Sequence, residues 1–196
     1  MTSELTIEPL TPFIGAEITG VDLREVTEEQ VTGIRAALLK HQVVFFRDQT
    51  LNQQQHIHFA MQFGELEIHP ATPRGQDNPE VLHIAHGPDS KGRENSWHSD
   101  VTWREKPSLG SILKAVKVPA VGGDTLFANM SEAYERLPDT LKEKIAGKTA
   151  VHDIARVFAG RLNKTADQLR ETYPVMEYPV VRTHPKTGAS VLYVNY

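Results

Sequence analysis

The stretch Ser96-Trp97-His98-Ser99-Asp100-Val101-Thr102-Trp103 decides how this chain folds and what it can bind. It sets an imidazole, His98, and a carboxylate, Asp100, one residue apart. Side chains alternate along extended backbone, so an extended segment would point both groups to one face, where they could bind adjacent positions of a metal ion. With a second His from elsewhere they would make the 2-His-1-carboxylate triad that binds non-haem Fe(II). No residue close in the sequence supplies that third ligand.

The His-x-Asp spacing is a weak signal when it is taken alone. The chain has nine His and nine Asp in 196 residues, so chance gives about 0.4 such pairs. An exposed His beside a solvated Asp on a surface strand would have the same spacing. The remainder of the sequence must decide between these two interpretations.

The bulk composition predicts a globular chain long enough to bury a sizeable core, with 39% hydrophobic and 23% charged residues. The net charge of -4 argues against a nucleic-acid surface. The lack of cysteine excludes disulfides, thiolate metal sites and a cysteine nucleophile. No signal peptide is visible, and the apolar run 43–46 is too short to span a membrane. We therefore expect a cytoplasmic protein without nucleic-acid or membrane partners.

The predicted elements are mixed in order and do not repeat. The capping box Thr27-Glu28-Glu29-Gln30 predicts the start of a helix, and Asn52 predicts a second helix that ends before Gly64. Two β-rich runs, at 178–184 and 189–195, flank a glycine-containing turn and predict a hairpin. The other predicted strands lie at 5–7, 16–19, 42–47, 81–84, 108–118 and 124–128, and the other predicted helices at 131–137, 140–145 and 156–172. Glycine-rich phosphate loops and a Gly-x-Ser-x-Gly motif are absent.

Six stretches, in order along nearly the whole chain, resemble the taurine dioxygenase family of Fe(II)/2-oxoglutarate-dependent oxygenases. They are IGAEI at 14–18, HQVVFFRDQ at 41–49, FGEL at 63–66 with HP at 69–70, WHSDVT at 97–102, GGDTL at 122–126, and PVVRTHP at 179–185 with TG at 187–188 and LYVN at 192–195. Six ordered matches make a chance origin of the His-x-Asp pair improbable.

The resemblance implies a mixed α+β fold that is mainly β. Its core would be a double-stranded β-helix, or jelly-roll, with added helices, incomplete at the C-terminus. It also implies one oxygenase domain over 1–196 with a mostly helical insertion near 131–172. The likeness covers the first two-thirds or so of a family member. The distal His ligand and the Arg that pairs with 2-oxoglutarate belong to the part that follows in the family, so we expect the natural chain to continue past Tyr196.

The resemblance also assigns roles to individual residues. It makes His98 and Asp100 iron ligands, and it places Thr125 and Asn95 at the 2-oxoglutarate co-substrate. His69 and Val101 would contact the substrate. The chain departs from the family pattern at Thr72, where taurine dioxygenases carry a Tyr that helps to hold the sulfonate, and this departure admits other sulfonates and alkyl sulfate esters.

The function that the resemblance implies is hydroxylation of a small sulfonate such as taurine, with release of sulfite and an aldehyde. Fe(II), 2-oxoglutarate and dioxygen would be required, as in taurine catabolism and sulfur metabolism. The alternatives within the enzyme class are an alkyl sulfate ester dioxygenase and a hydroxylase of an unrelated carboxylic acid. Two other classes stay open, a truncated inactive paralogue that serves as an interaction module and a cupin-like metal protein without oxygenase activity. A homo-oligomer is compatible with all of them.

Overall fold

The computed structural model, which describes residues 4–87, 96–160 and 162–195, forms two units with separate cores. Unit 1 comprises Met1–Leu66, Ile112–Arg136 and His184–Ala189. Unit 2 comprises Glu67–Ser111, Leu137–Thr183 and Ser190–Tyr196. Each unit has its own cluster of buried apolar side chains.

Unit 1 contains a three-stranded sheet. Strand β1 (Thr6–Pro9) pairs antiparallel with β2 (Ala16–Thr19), which pairs parallel with β3 (Val44–Phe45). Alternation along β2 buries Ala16 and Ile18. The two predicted N-terminal strands are confirmed. The third is shorter than predicted, because Gln42 ends the preceding helix in a left-handed conformation with φ 66°.

Two capped helices complete the core of unit 1. Helix α1 (Glu28–His41) begins with the predicted capping box, in which Thr27 Oγ1 accepts from Gln30 N–H (3.2 Å) and Gln30 Oε1 accepts from Thr27 N–H (3.1 Å). Helix α2 (Gln53–Met61) begins with a second box, formed by Asn52 and Gln55. Such a cap contributes about 1 kcal/mol. The apolar faces of the two helices meet the sheet in the unit 1 core, formed by Ile18, Leu23, Ile34, Ala37, Leu51 and Phe59.

Four shorter helices follow where the sequence predicts three, because the helix predicted at 156–172 is divided into two. Helix α3 (Met130–Glu135) belongs to unit 1, whereas α4 (Asp139–Ile145), α5 (Ala155–Phe158) and α6 (Ala166–Thr172) belong to unit 2. A strand, β4 (Thr149–His152), interrupts the helices and pairs antiparallel with β5 (Met176–Pro179). The predicted hairpin is confirmed as β6 (Val181–Thr183) paired with β7 (Ser190–Leu192).

The predicted strands at 81–84, 108–118 and 124–128 are wrong, since the structure has no strand in these segments. The apolar side chains of 108–118 are exposed, with Leu113 at 71% and Val116 at 87%. A strand requires a neighbour that shares its backbone hydrogen bonds, and none of the described residues pairs with this segment. Side chains of unit 1 hold it instead: His56 Nε2 donates to the carbonyl oxygen of Ile112 (3.1 Å), and the Lys114 ammonium donates to the carbonyl of Leu51.

The mixed α+β class is confirmed, but the expected predominance of strands is not seen, because helices contain more of the described residues than strands do. The strands form sheets of three, two and two members. These sheets do not by themselves show a jelly-roll core or a single domain over 1–196, so both stay predictions. Within the described ranges, no helix has the length and apolar character of a membrane span.

Candidate metal centre

The His-x-Asp segment lies in unit 2 on irregular backbone that enters a turn at Asp100, and not on the extended strand that its spacing suggested. The turn is closed by the Arg104 N–H, which donates to the Val101 carbonyl oxygen (3.1 Å). Val101 has φ 46°, in the left-handed region that β-branched residues rarely adopt. No strand is formed here, although the side chains of His98 and Asp100 still lie side by side.

His98 and Asp100 present two donor atoms side by side. His98 Nε2 and Asp100 Oδ1 are 3.4 Å apart, and the two side chains are 46% and 63% exposed. Two donors at this separation can bind adjacent positions of one ion without a change in the backbone. Neutral imidazole and carboxylate are donors that a ferrous ion accepts.

In each donor residue, the second polar atom, which does not face the other donor, forms a hydrogen bond with a neighbouring group. His98 Nδ1 lies 2.9 Å from the Ser96 carbonyl oxygen, which can only accept, so Nδ1 is the donor in this bond and Nε2 is the nitrogen left for a metal ion. Asp100 Oδ2 accepts from the Ser111 hydroxyl (3.2 Å), which leaves Oδ1 toward His98. The residues present therefore fit a metal ion, since such outer contacts orient metal ligands and fix their protonation.

The described residues contain no group of three or more His, Asp or Glu side chains that could hold a metal ion. The pair formed by His98 and Asp100 thus supplies two donors to the predicted triad. The third donor stays a prediction.

Core packing supports the turn that carries the pair. Val101 and Trp103 are each 8% exposed and belong to the unit 2 core. Trp103 meets the ring of Tyr173 edge-on, with centroids 4.7 Å apart. Tyr178 adds a second anchor, because its hydroxyl contacts the carbonyl of Arg104 and donates to that of Glu105 (3.0 Å). The donor pair is exposed, but the backbone beneath it is fixed.

Arg104 follows Asp100 by four residues, and its charge is paired with that of Glu67. Its Nε lies 2.5 Å from Glu67 Oε1, and its guanidinium stacks 5.1 Å from the Trp103 ring centroid. The second Glu67 oxygen accepts from the Ser108 hydroxyl (2.5 Å). Arg104 is therefore poorly placed to recognise an anionic ligand.

His69 belongs to the same unit and is half-buried against Phe158, with ring centroids 5.5 Å apart. Burial lowers the pKa of His69, Arg104 acts in the same direction, and the charges of Asp100 and Glu67 oppose the shift. The ring is thus neutral near pH 7. Its Nδ1 accepts from the Ala71 N–H (3.1 Å), so the proton is on Nε2, which can donate to an anionic oxygen.

Three predicted site residues remain, Thr125, Val101 and Asn95. Thr125 is exposed and belongs to unit 1. Val101 packs in the unit 2 core, so its predicted contact with substrate stays untested. Asn95 lies outside the described residues.

The sequence did not single out three residues that contact the segment: Ser111, Thr102 and Asn195. Ser111 reaches Asp100, whereas Asn195 hydrogen-bonds to Ser99 and to the Thr102 hydroxyl. Asn195 and Thr102 stand in stretches that carry the family resemblance, which was their only signal in the sequence. Ser111 had none.

Comparison with known proteins now identifies the class. The family model described as "Taurine catabolism dioxygenase TauD, TfdA family" matches residues 6–196. The chain is 38% identical over 205 residues to an alpha-ketoglutarate-dependent sulfate ester dioxygenase from Pseudomonas putida, a match that covers 98% of this chain and 67% of that protein. It belongs to this family of α-ketoglutarate-dependent dioxygenases.

Solved structures agree with this assignment. A taurine dioxygenase from Burkholderia xenovorans superposes with a TM-score of 0.78 and 38% sequence identity, over 96% of this chain and 62% of that one. The structure of AAD-2 in complex with Mn(II) and N-oxalylglycine superposes with a TM-score of 0.73 and 27% identity, over 98% and 69% of the two chains. The fold is therefore that of the TauD-type dioxygenases. The chain spans 62–67% of the length of the two dioxygenases from Pseudomonas and Burkholderia.

Proposed function

We propose that the protein is an Fe(II)- and 2-oxoglutarate-dependent dioxygenase that oxidises a small organic sulfur oxyanion. The observation that carries the proposal is the 3.4 Å separation of His98 Nε2 and Asp100 Oδ1. The second polar atom of each residue, His98 Nδ1 or Asp100 Oδ2, hydrogen-bonds to another group. A solvated surface pair would not need both outer contacts. Sequence relatives that are named as α-ketoglutarate-dependent dioxygenases support the same interpretation.

In this proposal His98 and Asp100 hold the metal, and Thr125 and Asn95 contact 2-oxoglutarate. When bound, iron and 2-oxoglutarate activate dioxygen for insertion into a carbon–hydrogen bond. The Ser96 carbonyl accepts from His98 Nδ1 and orients the ring, which would leave Nε2 to hold the ion. The Ser111 hydroxyl donates to Asp100 Oδ2 and so orients the carboxylate with Oδ1 beside His98.

The substrate group that fits the site is a sulfate or sulfonate anion. A neutral His69 with its proton on Nε2 can donate to one sulfur-bound oxygen, and Arg104 is paired with Glu67. We put an alkyl sulfate ester first. The support is the sulfate ester dioxygenase of Pseudomonas putida, together with Thr72 at the position where taurine dioxygenases carry Tyr.

The overall reaction consumes one dioxygen and one 2-oxoglutarate for each molecule of substrate. One atom of dioxygen enters the substrate carbon that bears the sulfate oxygen, and the other enters succinate as 2-oxoglutarate loses carbon dioxide. The hydroxylated ester splits into an aldehyde and sulfate. A sulfonate is the second candidate, supported by the solved taurine dioxygenase, and its hydroxylated product would split into an aldehyde and sulfite.

The test is a turnover assay of the full-length protein with Fe(II), 2-oxoglutarate, ascorbate and hexyl sulfate, with taurine in a parallel reaction. We expect succinate and sulfate in equal amounts from hexyl sulfate, and no succinate from His98→Ala or Asp100→Ala. His58→Ala removes an exposed His from α2 and is the matched control, with unchanged turnover. Sulfite from taurine would select the sulfonate instead. An aryloxyacetate is the substrate of a third reaction. Its oxidation, with neither sulfate nor sulfite formed from the other two substrates, would contradict the proposal, and so would no oxidation of any substrate.

A further inference from the structure

One side chain binds both backbone groups of the residue that separates the two metal donors. Asn195 Oδ1 accepts from the Ser99 N–H (3.2 Å), and Asn195 Nδ2 donates to the Ser99 carbonyl oxygen (3.0 Å). Ser99 lies between His98 and Asp100, so its backbone cannot rotate without breaking these bonds. The second Nδ2 proton goes to the Thr102 hydroxyl (2.8 Å), and both N–H bonds of the amide are thereby used.

The third bond joins the exposed donor segment to the core of unit 2. Thr102 is 3% exposed and stands between two core residues, Val101 and Trp103. Its hydrogen bond to Asn195 therefore forms away from water, where an unpaired amide proton is costly. The same amide holds Ser99, before Asp100, and Thr102, after it. The backbone of Asp100 is thus fixed on both sides.

The position of Asn195 is itself fixed by neighbouring backbone. Strand β7 pairs with β6, and beyond it the Tyr193 N–H donates to the Val180 carbonyl oxygen (2.7 Å). The Arg182 guanidinium lies 4.4 Å from the centroid of the Tyr193 ring. Asn195 follows two residues after this anchored position, so it reaches the donor segment from a held strand end.

We propose that Asn195 is a positioning residue that sets the spacing of the two metal donors, His98 Nε2 and Asp100 Oδ1. The inference rests on the metal site of the proposed function. Only a primary amide of this length meets all three partners, because a carboxylate lacks the two donor protons and an alanine has neither group. Without Asn195 the segment keeps both donor residues but loses the contacts that hold their backbone.

The test is metal affinity, which can be measured without turnover. The Mn(II) dissociation constant of the full-length protein is obtained by EPR titration, for the unaltered protein and for Asn195→Ala. Loss of an outer contact of a metal site costs about 10–100-fold in affinity, so we expect Asn195→Ala to raise the dissociation constant by at least about tenfold. The EPR spectrum of bound Mn(II) should broaden as its ligand geometry becomes heterogeneous.

The matched control is Asn52→Ala, which removes the same amide from the cap of α2 in unit 1. Both variants should lower the melting temperature, but only Asn195→Ala should weaken Mn(II) binding. Asn195→Ala with an unchanged dissociation constant would overturn the positioning role and leave the metal site in place. A full-length protein that does not bind Mn(II) would overturn the proposed function as well.

A second pair of variants keeps the test decisive if Asn195→Ala does not fold. Thr102→Val removes one of the three bonds and keeps the shape of the side chain, whereas Thr102→Ser keeps the hydroxyl. We expect Thr102→Val to raise the Mn(II) dissociation constant about threefold, and Thr102→Ser to restore it. Equal affinities in both variants and in the unaltered protein would overturn the inference.

Discussion

Val101 combines a buried β-branched side chain with left-handed backbone. It is 8% exposed in the unit 2 core, and its φ is 46°. The left-handed region costs a non-glycine residue about 1–2 kcal/mol, because Cβ comes too close to the following carbonyl oxygen. We predict that Val101→Gly destabilises the protein no more than Val101→Ala does.

The magnitudes of the separate effects lead to this expectation. Val101→Ala removes two buried methyl groups at about 0.8 kcal/mol each and leaves a small cavity, a loss of about 2 kcal/mol. Val101→Gly removes one more carbon, about 0.8 kcal/mol, and adds backbone entropy to the unfolded state, about 0.7 kcal/mol. It also releases about 1.5 kcal/mol of backbone strain. The added terms cancel, and both variants should lose about 2 kcal/mol.

Val31 is the matched control, because it is a valine of similar burial, 9% exposed, on the right-handed backbone of α1. There no strain is released, so the lost carbon and the added backbone entropy should make a glycine cost about 1.5 kcal/mol more than an alanine. Urea unfolding of the four variants, compared at constant m-value, measures the two differences. If Val101→Gly is less stable than Val101→Ala by the margin found at Val31, the left-handed backbone of Val101 stores no strain.

Two further expectations concern the core and the pH dependence of stability. Leu169 is fully buried in the unit 2 core, so Leu169→Ala should lower the free energy of unfolding by about 3 kcal/mol. Leu113 is 71% exposed, and Leu113→Ala should change the free energy of unfolding by less than about 0.5 kcal/mol. Equal shifts of the urea midpoint in the two variants would contradict the described core. Burial lowers the pKa of His152, and the charge of Arg182 acts in the same direction, so below pH about 6.5 the unfolded chain binds a proton that the folded one does not. Stability should therefore fall as the pH decreases from about 6.5, and His152→Phe, which keeps the stacked ring, should reduce that loss in melting temperature between pH 7.5 and 5.5. An unchanged loss in His152→Phe would exclude His152 as its source.

Elements whose signals are local were predictable from sequence. The capping box of Thr27 and Gln30 marks the start of α1, because its bonds join residues three positions apart. The hairpin of β6 and β7 was predictable for the same reason, since a short turn sets its register. Neither element depends on a distant part of the chain.

The segment 108–118 shows why the other strands were mispredicted. Its apolar residues and flanking prolines are typical of a buried strand, yet a strand also requires a partner. No described residue pairs with it, and Leu113 and Val116 are exposed. Strand propensity shows that a segment could pair in a sheet, but it does not show that a partner strand is present.

The donor pair was predictable in identity but not in conformation. His98 and Asp100 stood out by spacing, but the turn that begins at Asp100 depends on Val101, whose left-handed backbone no local pattern indicates. The support from Asn195 spans 96 positions of sequence to Ser99, and such contacts are set by the tertiary fold alone. Only the resemblance to known dioxygenases marked that region of the chain.

The affinity of the protein for Mn(II) shows whether His98 and Asp100 are metal ligands. The Mn(II) dissociation constant of the full-length protein should rise by more than about 100-fold in His98→Ala and in Asp100→Ala, since each change removes a residue that binds the metal directly. It should be unchanged in His58→Ala, which removes an exposed imidazole from α2. If His98→Ala and Asp100→Ala bind Mn(II) as tightly as the unaltered protein, His98 and Asp100 are not the metal ligands and the account is contradicted.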